Sequence, residues 1–503
     1  MKAFRKFMAG IAFALLGVAG CDSDNGGLEA FGGEGLQALL ESGAVSDEST
    51  DGVLGSSTEQ VDVYVTGRND LTAYRVNDVI EYVIETGNDG PGDVAGTRTL
   101  VFNLPAGTSL VEPIGGVGFT CEADGLVTTC VNPFGASRGS AWLFYPKLNA
   151  PATTGDITLQ VSITYDSNES DSDTTNETLS ITNKIGLPMS DLQTLVDAAL
   201  PGDTINVAPG VYVGCLDYGG KDVNLVSTGG PEQTTFAAFE CGHIVDIGPD
   251  GTLEGFTLID FMAFSGNSDY DAAIDVSGTG SVIRGNIFED NNTRITAREP
   301  NGTAISGNST SPLVEGNIFR NIVCEDTPET PVVDFFNGSE PVIRNNIWYN
   351  NRCVALDMSL PAGNSPLIIN NTIVGNNVGI FYNRNVSQVT QTYRNNIIVG
   401  NGIGIDADGG TDADNPVYEN NLVFGNNTDF GIATQTGSNG NISADPMFTN
   451  SRAFDYTLMA GSPAIDAGSA TGAPATDFAG NARPVDGDGS MTAEFDIGAY
   501  ESP

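Results

Sequence analysis

Five short segments in the second half of the chain follow one pattern: Ala273-Ile274-Asp275, Val332-Val333-Asp334, Ala355-Leu356-Asp357, Gly379-Ile380-Phe381 and Gly404-Ile405-Asp406. If the aliphatic residue of each points inward, alternation along a strand sends the next one outward. Asp275, Asp334, Asp357 and Asp406 then share one outer stripe, interrupted by Phe381 and extended by Asp408. Stacked carboxylates repel one another, and a bound hard cation such as Ca²⁺ would relieve the repulsion. Arg352 and Arg384 flank the stripe, so they and Asp357 are the candidates for proton transfer, while Phe381 and Tyr382 offer rings to a sugar. A plain structural reading stands beside this one, because strand positions facing water are polar in any case and an acidic chain lines up aspartates without a site. A second oxygen-rich segment, Asp486-Gly487-Asp488-Gly489-Ser490, has Glu494 or Asp496 to complete it. Alternate oxygen ligands suit Ca²⁺, although the glycine does not sit where an EF-hand needs it, and the ordinary alternative is a solvated Asp-Gly turn. His243, the single histidine, reads as a packing residue.

The elements that must hold the stripe are announced by a repeat. Val282-Ile283-Arg284-Gly285-Asn286-Ile287-Phe288 aligns without gaps with five later segments, whose marker residues are Asn317, Asn346, Asn371, Asn396 and Asn421. The steps between markers are 31, 29, 25, 25 and 25 residues. Units this short cannot bury their own apolar faces, so a fixed period near 25 is the signature of a solenoid of stacked coils. Eight to ten coils at about 4.8 Å per strand make a rod on the order of 40 to 50 Å. The marker asparagines read as structural, hydrogen-bonding to their neighbours and to turn backbone. Cysteines test the stacking: Cys324 and Cys353 each lie seven residues after a marker, and Cys215 and Cys241 are 26 apart, one coil. Strand spacing falls inside the Cα range of a disulfide.

Upstream, the pattern changes to alternation, as in Val61, Val63 and Val65, then Ile157, Leu159, Val161 and Ile163, with turns such as Asn88-Asp89-Gly90-Pro91-Gly92 between. That reads as an all-β sandwich over 59–184, in which Cys121 and Cys130 staple a hairpin. Between the two parts, Ser190-Asp191-Leu192-Gln193 has the form of a capping box, followed by apolar residues at helical spacing. The fold class expected is therefore all-β, a sandwich followed by a parallel β-helix over 187–448 that begins with a short capping helix. The chain of 503 residues carries 64 acidic against 20 basic side chains, a net charge of -44. Nucleic acid is excluded as a partner, since phosphate recognition needs clustered Lys and Arg. Residues 1–20 combine Lys2, Arg5 and Lys6 with the apolar run Ile11 to Val18, a secretory signal too short to span a membrane stably. Residues 21–58, rich in Gly, Ser, Asp and Glu, read as a flexible tether. With Cys21 set aside, six cysteines remain, an even number that points to disulfides in an oxidising compartment.

Four resemblances add to this. Leu16-Gly17-Val18-Ala19-Gly20-Cys21 resembles the lipobox of bacterial lipoproteins, which implies diacylglycerol on Cys21 and a membrane partner through that lipid, at the outer-membrane surface or in the periplasm. The run from Val83 to Pro91, with Phe102-Asn103-Leu104-Pro105-Ala106-Gly107-Thr108, resembles the immunoglobulin-like repeat of bacterial surface proteins, which implies a spacer or adhesion unit. The helix, the strand from Thr204 and the turn Pro209-Gly210-Val211-Tyr212 resemble the start of right-handed parallel β-helices of the pectate-lyase type. Asp445-Pro446-Met447-Phe448, Gly461-Ser462-Pro463-Ala464-Ile465-Asp466-Ala467-Gly468 and Asp496-Ile497-Gly498-Ala499-Tyr500-Glu501 resemble the ending of choice-of-anchor Q surface proteins, so 449–503 reads as the closing cap of the solenoid. Together they imply a displayed protein that binds extracellular polysaccharide or another cell-surface partner without chemistry. A calcium-dependent polysaccharide lyase, for which the fold is known, and a purely structural stalk are the alternatives. The solenoid has only one lysine, Lys221, no adjacent Asp-Asp pair and no Gly-His-Gly, and so departs from the polygalacturonase pattern.

Overall fold

The computed structural model describes residues 60–503, apart from 70, 167–168, 240, 264–271, 294–302, 325–329, 362, 384–389 and 409–415. The signal, the tether, Cys21 and Arg384 lie outside the described residues.

Alternating apolar residues build a sandwich first. One sheet joins Val63–Arg68, Val83–Asn88 and Ser140–Phe144; the other runs from Thr120–Asp124 through Val127–Asn132, Thr97–Asn103 and Gly155–Asp166 to Thr178–Pro188. Their inward residues, among them Ile84, Leu100, Phe102, Phe144 and Leu159, form one buried cluster. Cys121 and Cys130 are bonded across the outer hairpin. The sheet does not end with the sandwich. Thr178–Pro188 pairs antiparallel with Gly155–Asp166 along most of its length, and its last residues, Leu187 and Pro188, pair parallel with Tyr212 and Val213 of the next module.

That module is a parallel β-helix with three faces, each nine strands deep. The first face starts at Asp203–Val207 and ends at Val417–Glu419, the second runs from Gly210–Val213 to Leu422–Phe424, and the third from Leu216–Asp217 to Thr428–Phe430. Helix α1, Ser190–Ala198, covers the first coil with Leu192 and Val196, while Leu195 stays exposed. The capping-box expectation fails, because Met189 occupies the N-cap position and no side chain caps the helix there. Its other end is closed by Lys221, whose Nζ donates to the carbonyls of Val196 and Asp197 at 3.0 and 2.6 Å. This is the usual stabilisation of orphan C-terminal carbonyls by a cation.

Inside, equivalent residues stack coil on coil. Phe288, Phe319 and Trp348 lie nearly parallel at 4.8 and 4.7 Å between ring centres. The marker asparagines form a buried ladder in which each Oδ1 accepts both the backbone N–H and the Nδ2 of the marker one coil earlier, from Asn286 through Asn317, Asn346, Asn371 and Asn396 to Asn421. A second ladder five residues on, Asn351, Asn376, Asn401 and Asn426, was not anticipated. Two disulfides tie neighbouring coils, Cys215 to Cys241 and Cys324 to Cys353, with Cα atoms 5.7 and 5.4 Å apart.

The C-terminal segment differs from the expected closing cap. Asn441 and Ile442 meet the last coil, and the remainder runs back along the side of the solenoid. Asn345, Asn370, Asn395 and Asn420, each in the left-handed region, donate from Nδ2 to the carbonyls of Thr476, Asp496, Ser469 and Ala467. Ala464 and Ile497 pack on Ile397 and Leu422, and Tyr456 and Ala499 on Ile347 and Tyr349. The strap covers the outer side of the second face in the later coils because that side is apolar there and needs a cover.

Candidate functional site

The three faces have different outer surfaces. The first carries Arg–Glu pairs on neighbouring rungs, including Arg284–Glu254, Arg344–Glu315 and Arg394–Glu419. The second is covered by the strap at one end and meets the sandwich at the other, where Ala73 packs with Val213, Ala237 and Ile259. The third bears the acid stripe. Its register is Asp217, Asp246, Asp275, Ser306, Asp334, Asp357, Phe381 and Asp406 on eight successive rungs. The strands keep their alternation, so Ile274, Ile305, Val333, Leu356, Ile380 and Ile405 are fully buried in the core while the next residue faces out.

Four of the stripe positions expected from sequence, with Phe381 between them, thus fall in one column. Asp217, Asp246 and Ser306 extend it and were missed, although Leu216-Asp217 and Val245-Asp246 repeat the aliphatic-Asp pattern; they precede the first marker asparagine, where coils cannot be counted from it. Asp408 pairs with Asn383, two residues farther along the strand, and is exposed beside the column. One expectation is corrected. Tyr382 is buried in the core, since it follows the outward Phe381, and its ring packs 6.3 Å from Tyr393, so no sugar can stack on it. Lys221, the solenoid's one lysine, is engaged by the end of α1. Arg352 is exposed on the turn that enters the strand of Asp357.

Burial deepens toward the middle of the column. Asp217 is exposed, Asp246 and Asp275 are half-buried, Ser306 and Asp334 are buried with 0 % and 8 % exposure, and Asp357, Phe381 and Asp406 are half-buried again. Asp357 Oδ1 accepts from Ser359 at N and Oγ, at 2.9 and 2.6 Å. Among the described residues no partner is found for Ser306 Oγ. Burial and the neighbouring Asp357 hold the Asp334 carboxyl well above the usual carboxylate range. Burial likewise pushes Asp357 up to about 6, against the pull of the Ser359 hydrogen bonds. Two carboxyls on adjacent rungs cannot both be charged cheaply, so each raises the cost of ionising the other. At the start of the column, burial and Asp217 raise Asp246, opposed by His243, whose Nδ1 lies 2.9 Å from the carbonyl of Ala272.

The second oxygen-rich segment is rearranged relative to its sequence reading. Asp486 and Asp488 join Asp466, with one carboxylate oxygen of each within 4.8 Å of the others, a set that can hold a hard cation. Asp496 is not part of it. Its carboxylate is buried, accepts from the N–H groups of Asp466 and Ser502 at 2.8 and 2.6 Å, and is raised to about 7 by burial. Ser490 donates its Oγ to the carbonyl of Thr492.

A family model described as right handed beta helix region matches residues 241–391. No curated protein matches the chain. Among solved structures, pectate lyase Pel9A is 13% identical, with 62% of this chain and 90% of that one covered at a TM-score of 0.36. A cohesin module from a Clostridium perfringens family 33 glycoside hydrolase is 16% identical, covering 25% of this chain and 98% of its own at 0.21. ACE19, the collagen binding subdomain of an Enterococcus faecalis surface protein, is 9% identical, covering 24% and 94% at 0.18. The fold is all-β, with a right-handed parallel β-helix, and its three disulfides suit an extracellular or periplasmic setting. Among the described residues no helix is long and apolar enough to cross a membrane.

Proposed function

We propose that this chain is an exported cell-envelope protein, lipid-anchored through Cys21 and of the choice-of-anchor Q type, whose sandwich spaces a β-helix that binds extracellular glycan along its third face without chemistry. The observation that carries this reading is the column from Asp217 to Asp406, polar or aromatic at every rung and set at strand spacing on the face that neither the sandwich nor the strap takes up. Repetition at a fixed rise suits a repeating polymer, in the way that solenoids generally use their extended surfaces. A glycan array, read beside an assay of uronic-acid polymers for the absorbance of unsaturated product, tests it. Binding with no turnover is expected. Robust turnover lost in Asp357→Ala would overturn the non-catalytic reading, and silence in both assays would favour a structural stalk.

One feature favours a second, catalytic reading as a carbohydrate-active enzyme. A buried carboxyl whose ionisation is pushed above the usual carboxylate range, as at Asp334 and Asp357, suits a general acid. Hydrolysis and elimination both create a new reducing end, so a hydrolase is distinguished from a lyase by reducing sugar released from the same panel without the absorbance of unsaturated product.

A further inference from the structure

We propose that the third face receives the free ammonium groups of an amino-sugar chain, with its anchoring point where Ser306, Asp334 and Asp357 meet on three successive rungs. This rests on glycan binding at that face and names the chemical class of the glycan.

The sign of the column comes first. Asp217, Asp246, Asp275, Asp334, Asp357 and Asp406 repeat one register, and strands stack at about 4.8 Å. On a chain of net charge -44, such a column repels a polyuronate and attracts a linear polycation. A neutral glycan gains no such attraction from it.

The anchoring point rests on more than charge. Ser306 is fully buried, its Oγ has no partner among the described residues, and it lies in register with Asp334 on the outward side of the sheet. A buried hydroxyl left unbonded is costly unless a ligand satisfies it. Asp334, on the next rung, is buried without an ion pair among the described residues. On the third rung, Ser359 N and Oγ both donate to Asp357 Oδ1. An alkylammonium has three N–H donors and no acceptor, and Ser306 Oγ and the Asp334 carboxyl, on adjacent rungs, offer it acceptors, with Asp357 one rung beyond. Phe381 follows on the fourth rung, half-buried, with a ring face suited to a second cationic sugar unit.

Calorimetric titration of the full chain with a glucosamine hexamer, its fully N-acetylated counterpart, an oligogalacturonate and spermine tests the assignment. The glucosamine hexamer is expected to bind at low salt, more weakly at high salt, and at least tenfold more tightly than the other three. Asp334→Asn, which keeps the shape of the side chain, should weaken it at least tenfold, and Ser306→Ala several-fold, with neither variant melting at a lower temperature. Equal binding of the acetylated hexamer, preference for oligogalacturonate, or full affinity in Asp334→Asn would overturn the ammonium assignment and leave glycan binding standing. Spermine binding as tightly as the hexamer would overturn the sugar part alone, and silence toward every glycan would overturn both readings.

Discussion

At the scale of single residues, the centre of the column is a place where stability is given up. Asp334 and Asp357 titrate higher in the fold than in an unfolded chain, where a carboxyl protonates near 3.9. Between that value and the folded ones the native state binds more protons, so the pair's contribution to stability is present at low pH and is lost as pH rises through the folded values. Asp334→Asn is therefore expected to stabilise the protein at pH 7.5 by on the order of 1–2 kcal/mol, with the gain shrinking toward pH 4. Urea melts at several pH values measure it; a gain that does not vary with pH would show that the pair is not coupled as described. A residue whose replacement stabilises the fold is one kept for something other than folding. The opposite holds for Asn371, whose Oδ1 accepts from Asn346 at N and Nδ2 and whose own Nδ2 reaches Ile343, Ile369 and Asn396. Asn371→Ala leaves buried donors and acceptors unmet on both neighbouring coils and should cost about 2–3 kcal/mol by the same melts, and Asn441→Ala at the ladder's end clearly less.

At the scale of elements, what could be read from the sequence depends on how often a signal repeats. The marker asparagines and the cysteine couples recur at coil spacing, so the stacking, the coil number and the outer position of Asp275, Asp334, Asp357 and Asp406 were legible before any coordinates. Ser306 was not, because one serine among aspartates breaks the pattern that defines the column. The strap was written in the sequence in a subtler form. Where the corner is uncovered, glycine precedes the marker, as at Gly285 and Gly316, both at positive φ; where the strap lies, asparagine takes the same left-handed position at 345, 370, 395 and 420. Asparagine tolerates that conformation and adds an outward donor, so the change from Gly-Asn to Asn-Asn marks the strap's footprint. Second-face strands that are apolar on both sides, such as Ile347-Trp348-Tyr349, announce the same cover. Its anchor is Arg483, which is nearly inaccessible and bonds Glu501 Oε2 and the carbonyls of Asp496 and Gly498. Arg483→Ala strands the Glu501 charge in the interior, a loss of about 3–5 kcal/mol. Hydrogen exchange should then accelerate across 449–503 and along the outer residues of the later second-face strands, while the early coils stay protected; uniform acceleration would mean that the strap is no separate element.

At the scale of the whole described structure, the question is whether the sandwich and the solenoid move apart, and several contacts bear on it. The strand Thr178–Pro188 belongs to both, and Asp260, in the left-handed position at a corner of the solenoid, accepts from Thr72 at N and Oγ1 and from Ala73 N at 2.7 to 3.0 Å. Arg75 adds its guanidinium over the Phe239 ring at 4.2 Å. A shared strand transmits bending but leaves twist free, and the Asp260 clasp is what opposes twist, because it grips a different strand of the sandwich. Asp260→Ala should thus cost about 1–3 kcal/mol of joint stability by exposing buried donors, speed exchange at the Thr72 and Ala73 amides, and broaden the solution-scattering distance distribution, while the solenoid's own melt stays in place. Glu254→Gln is the control: it removes a surface ion pair on the first face, worth roughly 0–1 kcal/mol, and should change none of the three. If scattering is unaltered in Asp260→Ala, the shared strand, with the Arg75–Phe239 and Ala73 packing, fixes the joint. The sandwich would then present the third face at a set angle whatever the clasp does, and a spacer of that stiffness would hold the acid column toward one direction, as capture of a long polymer by many weak rungs requires.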